Sequence, residues 1–262
     1  MQLTSKIMKN EIIEIKKDIL EASFRSKEGH VPSSFSILDI IYCLFKGNYV
    51  FKNQNYLNNF VLSKGHGCLA LYAILLSHKK ITKKKFLSFC KKNSDLGGHP
   101  DMRKHEYITA STGSLGHGLP IISGMAFADQ LNNLKKKYYI IIGDQECLEG
   151  TTWETMFLIN KFKLNNLTII IDRNYSRNDA IPLGNIKKKF WGFSKNIITV
   201  NGHSHRQIYK ALNKSYKNSN PKIIIAKTIK GNGLKMIQHN SWHHRFPKNY
   251  DEFLNLCKNI KK

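Results

Sequence analysis

Residues 138–174, YYIIIGDQECLEGTTWETMFLINKFKLNNLTIIIDRN, decide how the rest of the chain reads. Tyr138–Ile142 is a short uninterrupted apolar run, the pattern of a parallel strand covered on both faces. Gly143-Asp144 interrupts it. From Thr151 to Phe162 the apolar residues Trp153, Met156, Phe157 and Leu158 recur at roughly helical spacing. Leu167–Ile171 is a second buried strand, ended by Asp172-Arg173-Asn174. One crossover therefore joins two strands, and Asp144 and Asn174 fall at their carboxyl ends. In an open parallel sheet that edge is where ligands bind.

A hard divalent cation fits that pair. Mg²⁺ takes one or two protein oxygens and completes an octahedral shell from phosphates and water. Asp144 offers a carboxylate, Asn174 an amide oxygen and Ser176 a backbone carbonyl. For an isolated Asp/Asn pair the plainer alternative, a helix cap and a turn, is the better one, because short motifs recur by chance.

Outward from this unit the chain keeps alternating. Ile12, Ile15 and Ile19 mark an amphipathic helix ending near Gly29. Pro32-Ser33-Ser34 opens a second helix, with Ile37, Leu38, Ile41 and Leu44 on its apolar side. Asn59–Leu62 reads as a short strand and Cys68–Ser77 as a helix. Lys79–Lys92 reads as a basic, solvated helix, and Gly97–Asp101 as a loop. The Gly-rich turn Ser111–Gly118 leads into a helix over Leu119–Leu134. Gly124, Ala126 and Ala128 give that helix a small face, suited equally to internal packing and to a partner surface. Arg177–Ala180 is a polar loop. Ile198–Val200 is a strand, a helix begins at Gln207–Leu212, Lys222–Ala226 is the last buried strand, and Asp251–Ile260 is a closing helix. Lys230–His244 is a long loop, a feature often tied to function. With no repeat or linker to divide it, the pattern predicts one α/β domain over 1–262, a doubly wound, mostly parallel sheet flanked by helices.

Composition narrows the partners. The net charge is +24, from 42 Lys and Arg against 18 acids. The lysine triplets 83–85, 135–137 and 187–189 lie scattered, and no nucleic-acid motif accompanies them, which argues for compositional drift over a nucleic-acid face. The cysteines Cys43, Cys68, Cys90, Cys147 and Cys257 include no C-x-x-C pair, and their odd number speaks against a disulfide framework or zinc site. Buried reduced thiols in a cytoplasmic protein are the expectation. No apolar run reaches membrane-spanning length, and the amino terminus lacks the apolar core of a signal peptide.

Six ordered motifs now reverse the odds on Asp144 and Asn174. Gly143-Asp144 through Asn174, with Glu149-Gly150 and Trp153-Glu154, resembles the thiamine diphosphate motif of the transketolase family. Glu28-Gly29-His30, Ser63-Lys64-Gly65-His66-Gly67, Gly97-Gly98-His99-Pro100-Asp101, Ser111–Gly118, and Lys227-Thr228 through Gly233 with Trp242-His243 resemble its other signature segments, in order and over nearly the whole chain. The resemblance implies a thiamine-diphosphate-binding fold of the diphosphate type. It implies Mg²⁺ or Ca²⁺ on Asp144, Asn174 and the carbonyl of Ser176. Cofactor contacts are implied from His66, Gly113, Ser114, Leu115, Asp144, Gln145, Glu149, Asn174 and His243, and channel or catalytic roles for His30, His99 and His243. His117, His203, His239 and His244 are weaker candidates, expected to be structural or solvent-facing.

Two departures stand out. Gln145 replaces the motif's third-position glycine, which lets a backbone amide approach the diphosphate. Val31-Pro32-Ser33-Ser34 replaces the commoner Pro-Gly-Gly-Ser. The pyrimidine-binding half of the family is expected on a second polypeptide, a carboxy-terminal subunit in an α2β2 assembly. The implied activity is transfer of two-carbon ketol units between sugar phosphates or related sugars. The alternatives are the α subunit of a 2-oxoacid dehydrogenase and a degenerate, non-catalytic cofactor-domain protein.

Overall fold

The computed structural model describes residues 2–52, 55–175, 181–238, 242 and 244–261. The expected roles of Ser176, His239 and His243, and the polar loop 177–180, lie outside the described residues. In chain order the elements are α1 (Gln2–Ser26), α2 (Val31–Lys46), β1 (Phe51–Lys52), β2 (Asn55–Tyr56), β3 (Phe60–Leu62), α3 (Cys68–Ser77), α4 (Lys83–Phe86), α5 (Gly118–Leu131), β4 (Tyr138–Gly143), α6 (Gly150–Lys161), β5 (Leu167–Arg173), α7 (Ile186–Phe190), β6 (Ile197–Asn201), α8 (His205–Asn213), β7 (Lys222–Lys227) and α9 (Tyr250–Lys258). Strands β3 to β7 form one parallel sheet in the order β3-β4-β5-β7-β6.

The apolar runs are continuous because both faces of the sheet are covered. Along β4, Tyr139 and Ile141 join a core with α1, α2 and α3, while Tyr138, Ile140 and Ile142 join a second core with α5 and α6. β5 divides likewise, Ile170 to the first core and Ile169 and Ile171 to the second. Helix α2 is buried along Val31–Phe45, so it is covered nearly all round, with the polar Ser33, Ser34, Ser36 and Asp39 buried among its apolar residues. The doubly wound parallel fold read from the sequence is the fold observed.

Two segments differ from expectation. Lys79–Lys92 is not a long basic helix: the single turn α4, capped by Thr82, gives way to turns in which Cys90 and Asn93 adopt left-handed backbone. Phe86, Phe89 and Leu96 are buried there, and anchoring these apolar residues bends the chain out of helix. Helix α5 stops at Leu131 instead of Leu134, because Asn133 is left-handed and the Leu134 N–H turns back to the Asp129 carbonyl, a common helix stop. The β1–β2 pairing and α7 are short elements that apolar periodicity does not signal. All five cysteines are free thiols, with Cys43, Cys68 and Cys147 buried.

Candidate cofactor and metal site

Strand register builds the site. Gly143, the last residue of β4, pairs with Asp172 of β5. Asp144 then opens a 3-10 turn to Leu148. The Tyr175 backbone N–H donates to Asp144 Oδ2 at 2.9 Å, so the chain just past Asn174 lies against the Asp144 carboxylate. The two residues paired by sequence are neighbours in space. Asn174 Nδ2 donates to Ser36 Oγ at 3.1 Å and to Asp172 Oδ2 at 3.0 Å. These bonds orient the amide with its oxygen directed away from Asp172. Asp144 is buried, and its pKa is raised by that burial and by the nearby Asp172 charge, against the opposing pull of Lys64 and Arg173.

Two buried acids absent from the sequence-based site hold this edge together. Asp172 is fully buried. It pairs with Lys64 Nζ at 2.5 Å and accepts from the Ser36 hydroxyl, 2.8 Å from Oδ1, and from the Thr228 hydroxyl. One carboxylate thus ties α2, the turn after β3, the end of β7 and Asn174 together. Glu146 accepts from the Ser63 hydroxyl, from the Gly116 N–H at 3.0 Å and from the Gly143 N–H at 2.7 Å. Burial raises its pKa, opposed by those hydrogen bonds. The turn at Gly116 depends on glycine: its φ is +80°, and a Cβ there would sit 2.9 Å from Glu149 Cβ.

The glycine turns and histidines collect beside this edge. His30 precedes α2 and packs edge-on against His66, ring centroids 5.3 Å apart, and against His244 at 4.5 Å. His66 lies in the 3-10 turn Gly65–Gly67. The His99 ring lies against Gly65 and Gly113, so a Cβ at either would come within about 3 Å of it. The cover these turns give lowers the His99 pKa. His30, His66, His99, Gly113 and the Gly116 turn are therefore one assembly. Ser114 and Leu115 sit in that Gly-rich turn, where Ser114 Oγ and the Leu115 carbonyl both contact His117 Nδ1. Gln145 is not among the residues with positive φ, so its side chain strains no left-handed backbone where the motif has glycine. Glu149 occupies the N-cap position of α6 without a side-chain capping bond, and its Cβ lies against Gly116.

The weaker histidine candidates separate. His203 is structural: its Nδ1 lies 2.9 Å from Asp39, and its Nε2 accepts the Ile229 N–H, which fixes Nδ1 as the protonated nitrogen. His205 Nε2 bonds the other Asp39 oxygen at 2.7 Å. His117 stays in its own turn, at the surface. His244, in contrast, joins the His30–His66 group.

The chain matches the family profile described as transketolase, thiamine diphosphate binding domain, over residues 7–259. The chain belongs to this family. It is 34% identical over 245 residues to the transketolase of Homo sapiens, covering 89% of this chain and 39% of that protein. It is 30% identical over 250 residues to an apulose-4-phosphate transketolase subunit from Phocaeicola vulgatus, covering 90% of this chain and 89% of that one. The fold superposes on the crystal structure of transketolase from Campylobacter jejuni with a TM-score of 0.81 and 26% identity, over 95% of this chain and 41% of that one. The chain thus spans about two fifths of the transketolases it matches, and nearly all of the Phocaeicola vulgatus protein.

Of the family's signature segments, then, the structure brings Asp144 and Asn174 together at one edge and His30, His66 and His99 together beside it. Sequence reasoning missed Asp172, Glu146, Ser36 and Lys64 as site-builders. The one sequence signal for Asp172 was an acid ending the apolar run LTIIID.

Proposed function

We propose that this chain is the diphosphate-binding subunit of a split transketolase, one domain over 1–262 that transfers two-carbon ketol units between sugar phosphates in company with a pyrimidine-binding partner. The observation that carries this is the convergence of Asp144 and Asn174 at two adjoining strand ends, beside the His30–His66–His99 group. The near end-to-end match to a protein that is itself a transketolase subunit supports the split arrangement. The same relatives favour transketolase over a 2-oxoacid dehydrogenase α subunit.

The residues fit a metal-bound diphosphate. Asp144 and the Asn174 amide oxygen supply hard oxygen donors, with the Ser176 carbonyl as the third ligand, and diphosphate oxygens complete the shell of Mg²⁺ or Ca²⁺. His66 stands at a buried glycine turn suited to diphosphate oxygens, with Gly113, Ser114, Leu115, Gln145 and Glu149 along the adjoining turns. Thiamine diphosphate, when bound, supplies the carbanion-stabilising chemistry of ketol transfer. This chain holds the diphosphate end, orients it through the Asp172 and Glu146 networks, and presents imidazoles to substrate. His30 and His99 contact sugar hydroxyls or phosphate, and His243 acts near the reacting centre. A lowered pKa keeps His99 neutral near pH 7, the form that both accepts and donates hydrogen bonds.

The partner surface is apolar. On α5, Ile121 and Leu131 are 43% and 66% exposed, and on the adjoining α6, Phe157 and Leu158 are 66% and 53% exposed. Gly124 of α5 has open space beside it. Such a face is the kind that a second polypeptide covers on assembly, in keeping with an α2β2 arrangement. No helix among the described residues is long and apolar enough to cross a membrane, and a cytoplasmic site of action fits this chemistry. Calorimetric titration of thiamine diphosphate with Mg²⁺ into the wild-type chain and Asp144→Ala tests the cofactor site. A loss of at least about tenfold in affinity, roughly 1.4 kcal/mol, is expected in the variant. Equal affinities would overturn the metal assignment.

A further inference from the structure

Asp144 already carries a cationic partner. Arg173, the last residue of β5, places Nη1 3.1 Å from Asp144 Oδ2, and the two side chains are only 6% and 3% exposed. The guanidinium carbon also lies 4.3 Å from the centroid of the Tyr175 ring. The backbone N–H of the same Tyr175 donates to the same carboxylate oxygen. Both hydrogen bonds to Asp144 among the described residues thus fall on Oδ2. Arg173 is therefore fixed by an ion pair on one side and an aromatic face on the other, away from water.

We propose that Arg173 is a resident counter-ion of the metal carboxylate, weakening divalent-cation binding at Asp144 and Asn174 and making diphosphate retention less dependent on that cation. The inference rests on the reading of Asp144 and Asn174 as metal ligands. Its physical basis is charge. Among the described residues, the buried cluster holds three carboxylates, Asp144, Glu146 and Asp172, and two cationic side chains, Lys64 and Arg173. Lys64 is paired to Asp172 and Arg173 to Asp144. A divalent ion that binds Asp144 would meet a carboxylate whose charge is already offset by the guanidinium 3.1 Å from its Oδ2. In a buried site repulsion between like charges is only weakly screened. The diphosphate gains from the same arrangement, because a guanidinium fork matches phosphate oxygens and keeps its charge at every working pH. Arg173 thus holds part of the positive charge that a divalent ion would otherwise provide alone. Linkage makes the two effects reciprocal: whatever Arg173 removes from the coupling between cation and diphosphate is removed from both affinities.

Removing a merely structural arginine would loosen the site and weaken metal binding. Removing a competing charge tightens it, so the sign of the change decides. The experiment is calorimetric titration of Ca²⁺ into the full chain with saturating thiamine diphosphate, for wild type, Arg173→Met, Arg173→Gln, Arg173→Lys and Asp144→Asn. Circular dichroism and thermal melts select the folded variants, and Arg173→Gln keeps a hydrogen-bond donor for Asp144 if the methionine variant does not fold. The expected result is Ca²⁺ binding at least about tenfold tighter in the neutral variants, with Arg173→Lys near wild type. In chelator, the wild type should keep more of its thiamine diphosphate affinity than the neutral variants keep of theirs. If Asp144→Asn loses Ca²⁺ but folded Arg173→Met and Arg173→Gln bind it no more tightly than wild type, the counter-ion role is overturned and the metal site stands. If Asp144→Asn binds Ca²⁺ like wild type, the metal site itself is wrong and the proposal falls with it.

Discussion

Asp172→Asn isolates the contact on which the site's geometry depends most. Its carboxylate is 0% exposed and pairs with Lys64, whose side chain is 4% exposed. The amide is nearly isosteric and keeps one oxygen for the Ser36 and Thr228 hydroxyls, but it leaves the Lys64 ammonium buried without a counter-charge. Breaking a buried pair from one side costs about 3–5 kcal/mol. The retained oxygen places this case near the lower end, about 3 kcal/mol. For a chain of this size each kcal/mol moves the melting temperature by roughly 2–4 °C, so a drop of about 6–12 °C is expected in a thermal melt followed by circular dichroism. Adding Lys64→Met to Asp172→Asn should recover part of the loss, with a coupling of at least about 1 kcal/mol in the double-mutant cycle. A loss below about 1 kcal/mol in the single variant, or strict additivity in the cycle, would refute the claim that Asp172 and Lys64 form the site's central pair.

Further outcomes follow from other contacts. Glu146→Gln turns one acceptor into a donor facing the Gly116 or Gly143 N–H. An unsatisfied buried donor costs about 1–3 kcal/mol, which urea unfolding should register. Burial alone would raise the Asp39 pKa, but the hydrogen bonds from His203 and His205 outweigh it and lower it to about 2. A depressed acid pKa stabilises the fold above the unfolded value, near 3.9, and that stabilisation disappears as pH falls through the folded value. The wild-type advantage over Asp39→Asn should therefore be about 2 kcal/mol from pH 7 to 5 and shrink between about pH 4 and 2, as read from melts across pH. Phe157→Asp, at a 66% exposed position, should leave the melting temperature of the isolated chain within about 2 °C, since surface changes are mostly within about 0.5 kcal/mol. It should abolish co-elution with the partner subunit on size exclusion.

The sheet and its ligand edge were legible because their signals are local. YYIII and LTIII are unbroken apolar runs, each closed by polar residues, and a crossover of helical period lies between them. That alone sets Asp144 and Asn174 at adjoining strand ends. The hub residues were not legible, because their partners are distant in sequence: Ser36 and Lys64 meet Asp172 across 136 and 108 residues, and Ser63 meets Glu146 across 83. Such pairings come from strand order and register, which periodicity does not encode. Lys79–Lys92 misled in the opposite way. Its lysines spelled a solvated helix, while Phe86 and Phe89, buried against the first core, bend the segment into turns. His244, expected to be structural or solvent-facing, is indeed exposed, but only the fold shows its ring 4.5 Å from that of His30.

The split-enzyme reading is tested most directly by ketol transfer from a ketose phosphate to an aldose phosphate, with thiamine diphosphate and Mg²⁺ present. The assay compares the purified chain alone with the chain plus the polypeptide that co-purifies with it. The predicted result is little or no turnover from the chain alone and about one per second or more from the pair, a rate ordinary for enzymes. Turnover of about one per second by the chain alone, or none by the reconstituted pair, would contradict it.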